Sequence, residues 1–223
     1  MMGEKEKVIA HGNVARQINK NLRRERIFNI AKNQIAKKGL EAFTIAELAQ
    51  EAGVSTPTIH NLFGKKSDII NELVSNLIKD MQSITLNPPI DPIENTKFFV
   101  NNVAATFEKD INFYRAALMS AEHLKLFDPR IPGGPFQQAQ QLAEPNKKWY
   151  ETGLLLGKIE PSIIMKKVHD SNRLARIDWV LGYIDLNQFR HKAMKGILLV
   201  YAADASPELH VLLIEEINRL NSL

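Results

Sequence analysis

The amino-acid sequence predicts an all-α fold. Apolar residues recur every three or four positions through most of the 223 residues, which is the spacing of one face of a helix. No segment alternates between apolar and polar residues as a half-buried strand does, and no turn sequence indicates a β-hairpin. Glycines and prolines stand between the periodic segments, where helices are expected to end.

The composition is typical of a globular protein that buries a core. Apolar residues make up 44% of the chain and charged residues 24%. No apolar run approaches the length of about 18 residues that a membrane-spanning helix needs, and the N-terminal stretch lacks the apolar core of a secretory signal. The absence of cysteine excludes disulfides and thiolate metal sites, so we expect a cytoplasmic protein without a metal or other cofactor.

The net charge of +4 is unevenly distributed along the chain. Residues 1–66 hold 12 Lys and Arg against 6 Asp and Glu, a net charge of +6. Residues 67–223 hold 17 against 19, a net charge of −2. A basic N-terminal part is often only a solvated surface, but positive charge confined to one part of a chain is also what binding to phosphates requires.

Residues 1–21 show no clear helical period and are predicted to form a flexible basic tail, either a disordered leader or an arm for a minor groove. The first helix is expected from about Leu22 to Lys38, with Gly39 ending it. Arg24 and Arg26 lie near its start, where a cation is unfavourable because it meets the positive end of the helix dipole. An external anion such as phosphate is therefore their expected partner.

The stretch after Phe43 predicts two short helices. Thr44 is the expected N-cap of the first, and Glu47 completes a capping box in which each side chain accepts from a backbone N–H. Phe43 and Leu48 are placed as a hydrophobic staple. Gly53 allows the positive φ that ends this helix and turns the chain.

The second short helix has Ser55 or Thr56 as its expected N-cap, and Pro57 is tolerated in its first turn. Two short helices joined by a glycine-containing turn form the helix-turn-helix pattern. In such a unit the second helix enters the major groove of DNA, where polar residues contact phosphates and base edges. The sequence therefore predicts an N-terminal three-helix DNA-binding domain of the helix-turn-helix type.

The segment from about Arg24 to Leu73 closely resembles the DNA-binding domain of the tetracycline-repressor (TetR) family. The shared pieces are a basic first helix, a turn and an entry into a fourth helix, which read here Arg24-Glu25-Arg26-Ile27, Ala52-Gly53-Val54-Ser55 and Phe63-Gly64-Lys65-Lys66. The resemblance implies a DNA-binding domain over residues 22–80 and a helical ligand-binding and dimerisation domain over residues 81–223. It also implies that the fourth helix links the two and that its swing changes the spacing of the DNA readers.

Carried onto this sequence residue by residue, the resemblance implies DNA contacts from both short helices and from the start of the fourth. Thr44 and Lys66 are the expected phosphate ligands. Thr56, Thr58 and Asn61 are candidates for base edges, since Asn pairs with adenine and a Thr methyl packs on thymine. The alternative for each is an ordinary cap or exposed polar residue. The complete predicted set is Arg24, Arg26, Thr44, Ser55, Thr56, Pro57, Thr58, His60, Asn61, Lys65 and Lys66.

The chain departs from the family pattern within this region. His60 stands where a tyrosine is usual, and it can still donate to phosphate. Leu62 stands where His or Tyr often contacts the DNA backbone, and leucine cannot hydrogen-bond. Pro57 stiffens the reading helix, while Lys65 replaces a small cap residue, which adds charge and weakens the cap. These departures indicate an operator preference specific to this protein.

The rest of the chain is predicted to be helical. A fourth helix covers Lys66 to Ser83 and is ended by the prolines of residues 86–93. Helical segments follow from Glu94, and the proline- and glycine-rich residues 127–135 form a loop. The remaining predicted helices span Phe136 to about Leu156, 161–184, 186–204 and 206–221.

The resemblance implies a ligand cavity among the middle helices of the C-terminal domain. Aromatic side chains at helical spacing are candidate walls, although such a stripe more often forms an ordinary core, and an aromatic lining favours a small apolar effector. Arg115, His123 and Tyr183 are candidate polar anchors. The candidate wall residues are Phe98, Phe99, Phe107, Phe113, Tyr114, Met119, Phe127, Phe136, Trp149 and Trp179.

A homodimer is expected because one reading helix covers few base pairs, whereas two related by a twofold axis read half-sites roughly 34–36 Å apart. The family packs two late helices against their mates, and residues 162–184 and 186–204 are the corresponding segments. Burial in the core of one chain is the alternative for the candidate interface residues, which are Trp179, Ile184, Phe189, Ile197, Leu198 and Tyr201.

The leading interpretation is a sequence-specific transcriptional regulator, a repressor that is released from a palindromic double-stranded DNA operator by a small-molecule effector. A transcriptional activator, or a helical DNA-binding or interaction protein that needs no ligand, fits the same residues and stays open. An enzyme is not expected, because the six histidines are scattered and no HExxH, GxSxG, Walker or GxGxxG motif occurs.

Overall fold

The structure is a computed structural model that describes residues 2–84, 89–123, 125, 130 and 147–222. Within these ranges the chain is helical and forms no strand, with one isolated bridge between Leu155 and Ala205, so the predicted all-α class is confirmed. The described helices are α1 Met2–Ala42, α2 Ile45–Ala52, α3 Thr56–Phe63, α4 Lys66–Ile84, α5 Pro92–Glu108, α6 Ile111–His123, α7 Lys147–Glu151, α8 Pro161–Val180, α9 Leu186–Ala202 and α10 Pro207–Asn221.

The chain divides into two compact units, Met1–Ile70 and Asn71–Leu223. The division falls inside α4, before the functional boundary that we predicted at residue 80, and that functional boundary stays a prediction. None of the helices in the described ranges is long and apolar enough to cross a membrane.

Helix α1 begins at Met2, before the start predicted at about Leu22. The flexibility predicted for residues 1–21 stays a prediction. Val14, Ile18 and Leu22 are each more than half exposed, which shows that backbone hydrogen bonding extends this helix without an apolar face to bury. Gly39, with φ 75°, interrupts α1 where the sequence placed its end.

The N-terminal unit has its core between α1 and the two short helices. Ile27, Ala31 and Ile35 of α1 are buried, as the helical period predicted. Gln34 on the same face is also buried, and its amide donates to the Glu51 carboxylate at 2.5 Å. This pairing explains how a polar residue is tolerated there, since buried polar groups need partners.

The core of the C-terminal unit is a cluster of aromatic rings centred on Phe107. Its ring stacks on Trp179 at a centroid distance of 4.6 Å and lies 5.6–5.7 Å from the rings of Tyr114 and Phe189. Helix α9 packs against α5, α8 and α10, and at Gly196 a Cβ atom would come within 2.9 Å of the Ser171 Cβ on α8. A glycine is therefore required where α8 and α9 approach most closely.

Helix ends in the C-terminal unit are set by capping side chains and by glycines. The box predicted at Thr44 has a complete counterpart at the start of α9, where the Asp185 carboxylate accepts from Gln188 N and the Gln188 side chain accepts from Asp185 N. The helix predicted to reach Leu156 ends at Glu151, because the chain turns at Gly153 with φ 74°. Its predicted start, residues 136–146, lies outside the described residues.

The loop between α7 and α8 is held by one buried carboxylate, that of Asp204. This side chain is 1% exposed and accepts from the backbone N–H groups of Gly157, Lys158 and Ile159 at 2.9, 2.9 and 3.2 Å. The Asp204 carbonyl also accepts from Leu156 N at 2.8 Å. The carboxylate thus joins the loop to the end of α9 with charge-assisted hydrogen bonds.

Asp204→Asn is expected to lower the free energy of unfolding by about 2–4 kcal/mol, because the amide presents N–H groups to backbone donors. Urea unfolding followed by circular dichroism measures the loss. Glu215→Gln makes the same change of charge on an exposed residue of α10 and should stay within about 0.5 kcal/mol of wild type. Equal stability of the two variants would contradict the role given to Asp204.

Candidate functional site

The start of α2 is built around Thr44. Its Oγ1 accepts from Glu47 N at 3.2 Å, which confirms the predicted cap. The predicted return bond from the Thr44 backbone is replaced, because the Glu47 carboxylate accepts from the Thr44 hydroxyl at 3.0 Å and from Lys38 Nζ at 2.5 Å. The Lys38 ammonium, and secondarily the Thr44 hydroxyl, hold the pKa of Glu47 below its usual value. Only half of the capping box therefore forms.

Phe43 connects the start of α2 with the start of α4. Its ring is fully buried, as is Leu48, the second residue of the predicted staple. The Lys66 ammonium lies over the Phe43 ring, 5.8 Å from its centroid. This contact places the cation of Lys66 over the ring of the residue that directly precedes Thr44.

Helix α3 presents a polar face and buries an apolar one. Ser55 rather than Thr56 is its N-cap: Ser55 Oγ accepts from Thr58 N at 3.4 Å and lies 2.9 Å from the Thr58 hydroxyl. Pro57 occupies the first turn, as predicted. Ile59 and Phe63 are buried, while the side chains of the outward face are exposed or half-buried, namely Ser55, Thr56, Pro57, Thr58, His60 and Asn61.

The turn between α3 and α4 uses His60 and Gly64. His60 Nδ1 lies 2.9 Å from the Gly64 carbonyl oxygen, so the tautomer with Nδ1–H donates to it and leaves Nε2 on the exposed side. Gly64 has φ 87°, and a Cβ there would meet the Asp68 carboxylate at 2.4 Å. Asp68 in turn accepts from Lys65 N at 2.7 Å. Since the Lys65 side chain has no acceptor, Asp68 supplies the only side-chain bond at this cap among the described residues.

Two of the predicted phosphate ligands have intramolecular partners. Arg24 Nε donates to the Leu62 carbonyl at 3.3 Å and its guanidinium lies 4.6 Å from the Phe63 ring centroid. Arg26 Nη2 donates to the Ala52 carbonyl at 2.8 Å. Both cations thus satisfy carbonyls at the ends of α3 and α2, where the helix dipole favours them. Their contact with DNA stays a prediction.

Most of the aromatic residues proposed as cavity walls pack on one another. Phe107, Phe113, Tyr114, Trp149 and Trp179 are all less than 8% exposed. Trp149 also donates from Nε1 to the Ile90 carbonyl at 2.5 Å and meets Tyr201 edge-on. These five are buried in the C-terminal unit, and their role as walls of a ligand cavity stays a prediction.

The other candidates in this unit differ in exposure. Phe98 and Phe99 are half-buried, and Met119 is 40% exposed. Phe127 and Phe136 lie outside the described residues. Among the proposed anchors, Arg115 lies 5.2 Å from the Trp179 ring centroid, whereas Tyr183 is 75% exposed and His123 is also exposed.

A polar cluster between α6 and α8 escaped the sequence analysis, and we call it the α6–α8 cluster. Arg173 holds the Glu122 carboxylate by Nε at 3.0 Å and by Nη2 at 2.5 Å, and Arg176 Nη2 reaches the same carboxylate at 3.4 Å. Burial lowers the pKa of Arg176 to about 10 and that of the neighbouring His169 to about 4. The cluster comprises Arg115, Glu122, His169, Asn172, Arg173 and Arg176.

The residues predicted for the dimer interface are largely interior. Trp179, Phe189, Ile197, Leu198 and Tyr201 are at most 4% exposed within one chain, so these five predictions are corrected. Only Ile184 of that set borders a shallow surface groove of 610 Å³ along α8 and α9. The groove residues are Ser171, Leu174, Ile184, Asn187, Gln188, His191, Lys192, Lys195, Gly196, Leu199, Leu220 and Asn221.

The exposed apolar side chains of this groove are Leu174 and Leu199, at 55% and 54% exposure. They lie on the same two helices as the predicted set but on the opposite, outward side. Dimerisation through α8 and α9 stays a prediction, and Leu174 and Leu199 are now the candidate interface residues on these helices. Across the described ranges no group of three or more His, Asp or Glu side chains is arranged to hold a metal ion.

Residues 27–73 match the family model described as bacterial regulatory proteins of the tetR family. A stretch of 61 residues is 33% identical to the HTH-type transcriptional regulator BetI of Agrobacterium fabrum, and it covers 27% of this chain and 30% of that relative. The chain thus spans less than a third of the length of this curated relative.

The whole fold resembles solved regulators. SmeT of Stenotrophomonas maltophilia matches with a TM-score of 0.62 at 14% identity, over 83% of this chain and 92% of SmeT. A TetR-family regulator of Mesorhizobium loti matches with a TM-score of 0.61 at 15% identity, over 84% and 98%. CprB of S. coelicolor matches with 0.60 at 15%, over 89% and 97%. Residues 27–73 therefore carry the helix-turn-helix of the tetR family of bacterial regulatory proteins, and the described fold resembles that of TetR-family regulators.

Proposed function

We propose that this protein is a transcriptional repressor that binds a palindromic operator as a homodimer and is released by a small-molecule effector. The observation that carries the proposal is the capped α2–α3 pair with exposed polar residues on α3, together with the Lys66 cation over the Phe43 ring, in the part of the chain with net charge +6. DNA as the partner places the site of action in the cytoplasm.

Two kinds of DNA contact follow from the geometry of this unit. Lys66 and the N-terminal end of α2 at Thr44 form a positive corner suited to one backbone phosphate. Helix α3 then enters the major groove, where Asn61 is exposed and able to pair with adenine. Thr56 and Thr58 are half-buried at the start of α3 and face the groove edge through hydroxyl or methyl groups.

The roles of two structural neighbours favour repression. SmeT is described as the repressor of a multidrug efflux pump, and QsdR of R. erythropolis as a transcriptional repressor. A promoter-fusion assay separates the alternatives for this chain, because deletion of the gene raises expression from the target promoter for a repressor and lowers it for an activator.

Dimerisation is assigned to the outward faces of α8 and α9. Leu174 and Leu199 expose apolar surface on either side of Gly196, where the two helices approach closely. A twofold axis near this groove would bury both leucines of each chain and present two α3 helices to successive major grooves. The polar groove residues, including His191 and Lys195, would then form the rim of the interface.

The first test is operator binding by the Lys66→Ala variant, measured by gel shift on DNA from upstream of the gene. The variant loses one charge-assisted phosphate contact in each half of the dimer, so we expect the affinity to fall about tenfold or more. The double variant Thr44→Ala, Lys66→Ala should lose specific binding altogether. Lys166→Ala removes an exposed lysine of α8 and should bind as wild type does. Wild-type protein without a preferred site at moderate salt would contradict the proposal.

The second test is the mass of the protein in solution for Leu199→Glu, measured by sedimentation. The buried carboxylate, present twice at a twofold interface, is expected to convert the dimer into a monomer and to abolish operator binding. Leu22→Glu places the same charge at a leucine of similar exposure on α1 and should stay dimeric. A dimeric Leu199→Glu variant would show that another surface forms the dimer.

A further inference from the structure

The α6–α8 cluster holds more positive than negative charge in a part of the chain that is otherwise acidic. Within the described residues, three guanidinium groups, those of Arg115, Arg173 and Arg176, lie near the carboxylate of Glu122. The Asp170 carboxylate also acts on Arg173, and it pairs with Lys167 at 3.5 Å. Residues 67–223 as a whole carry a net charge of −2, so the local excess is a property of this cluster.

Arg115 is positioned as a preformed donor. Its guanidinium lies over the ring of Trp179, 5.2 Å from the centroid. Its Nε is buried and has no hydrogen-bond partner within the part of the chain that the structure describes. Burying a charged donor without an acceptor is costly, so the site is incomplete without a further acceptor group.

The residues of the cluster share one interface between two helices. Arg115 and Glu122 are two turns apart on α6, and Asn172, Arg176 and Trp179 follow one face of α8. Exposure falls from 39% for the Arg173 side chain through 23% for Glu122 to 9% for Arg176. The cluster is therefore open to solvent at one end and closed at the other, as an entry for a polar group requires.

The surroundings of the cluster are apolar. Met119, 40% exposed, lies between Arg115 and Glu122 on α6, and the Arg115 guanidinium lies over the ring of the buried Trp179. Asn172 adds a buried Oδ1 without a donor in the described ranges. Apolar walls with a few converging polar groups are typical of small-molecule sites.

We infer that the effector carries a carboxylate on an apolar body, and that the α6–α8 cluster binds this carboxylate through Arg115 and the arginine pair on α8. The planar fork of Arg173 already holds a carboxylate, that of Glu122, which shows the geometry the ligand would adopt. Calling this ligand the effector rests on the proposed function, whereas its binding to the protein is testable without DNA. The effector inferred here is an amphipathic anion, whereas the sequence favoured a small apolar molecule.

The experiment is calorimetric titration of the full-length protein, without DNA, with decanoate and with decanol as a neutral probe of equal chain length. We expect decanoate to bind about tenfold or more tightly than decanol, because only the carboxylate accepts charge-assisted hydrogen bonds. Arg115→Gln should remove most of this preference while leaving decanol binding unchanged. Arg190→Gln, at a surface arginine paired with Glu108, controls for the loss of one charge.

A second variant keeps the test decisive if Arg115→Gln fails to fold. Glu122→Gln removes the internal carboxylate that competes for the arginine pair, so decanoate affinity should rise several-fold. A purely structural cluster would show no such rise. Equal affinity for decanoate and decanol in the folded wild-type protein, or weaker decanoate binding by Glu122→Gln, overturns the inference. Operator binding, measured separately by gel shift, is unaffected by either result.

Discussion

Burial of the Phe43 ring is the constraint on which the helix-turn-helix of the N-terminal unit depends. The ring is fully enclosed, so the residue that follows it, Thr44, has a fixed place as the cap of α2. The same ring lies under the Lys66 ammonium at the start of α4. One buried side chain thus contacts both the start of a helix and a cation, the first through apolar packing and the second through a cation–π interaction.

The cations of the N-terminal unit divide into two groups by their partners. Arg24 and Arg26 donate to carbonyls at the ends of α3 and α2 and thereby hold the three helices together. Lys66 has a ring rather than an anion against it, which leaves its charge available to phosphate. A guanidinium suits the first task because its donors are fixed in one plane, whereas a flexible ammonium suits the second.

Local features of the fold were predictable from the sequence. The caps at Thr44 and Ser55, the turn at Gly53 and the buried face of α1 all depend on residues within a few positions of one another. The first half of α1 was missed because Val14, Ile18 and Leu22, which recur every four residues, were not recognised as a helical period, and the structure leaves all three exposed. The Lys38 ion pair with Glu47 was missed because the reach of a lysine side chain leaves no pattern in the sequence.

The packing of the C-terminal unit could not be predicted from the sequence. Composition identified its aromatic residues, but a stripe of rings is the same in sequence whether it lines a cavity, packs a core or faces a second chain. Burial assigns Phe107, Trp179 and Phe189 to the core. The pairing of Glu122 with Arg173 spans 51 positions, and only the packing of α6 on α8 brings the two together.

The most direct measurement of the central claim is the salt dependence of operator affinity for the Phe43→Leu variant, followed by fluorescence anisotropy. This substitution is expected to cost only about 1–2 kcal/mol of stability, so the variant stays folded. Without the ring beneath it, the Lys66 ammonium loses its position in both halves of the dimer. The slope of log affinity against log salt should then fall by about 2, one for each lost phosphate contact. A folded Phe43→Leu protein with the wild-type slope and affinity would contradict the account.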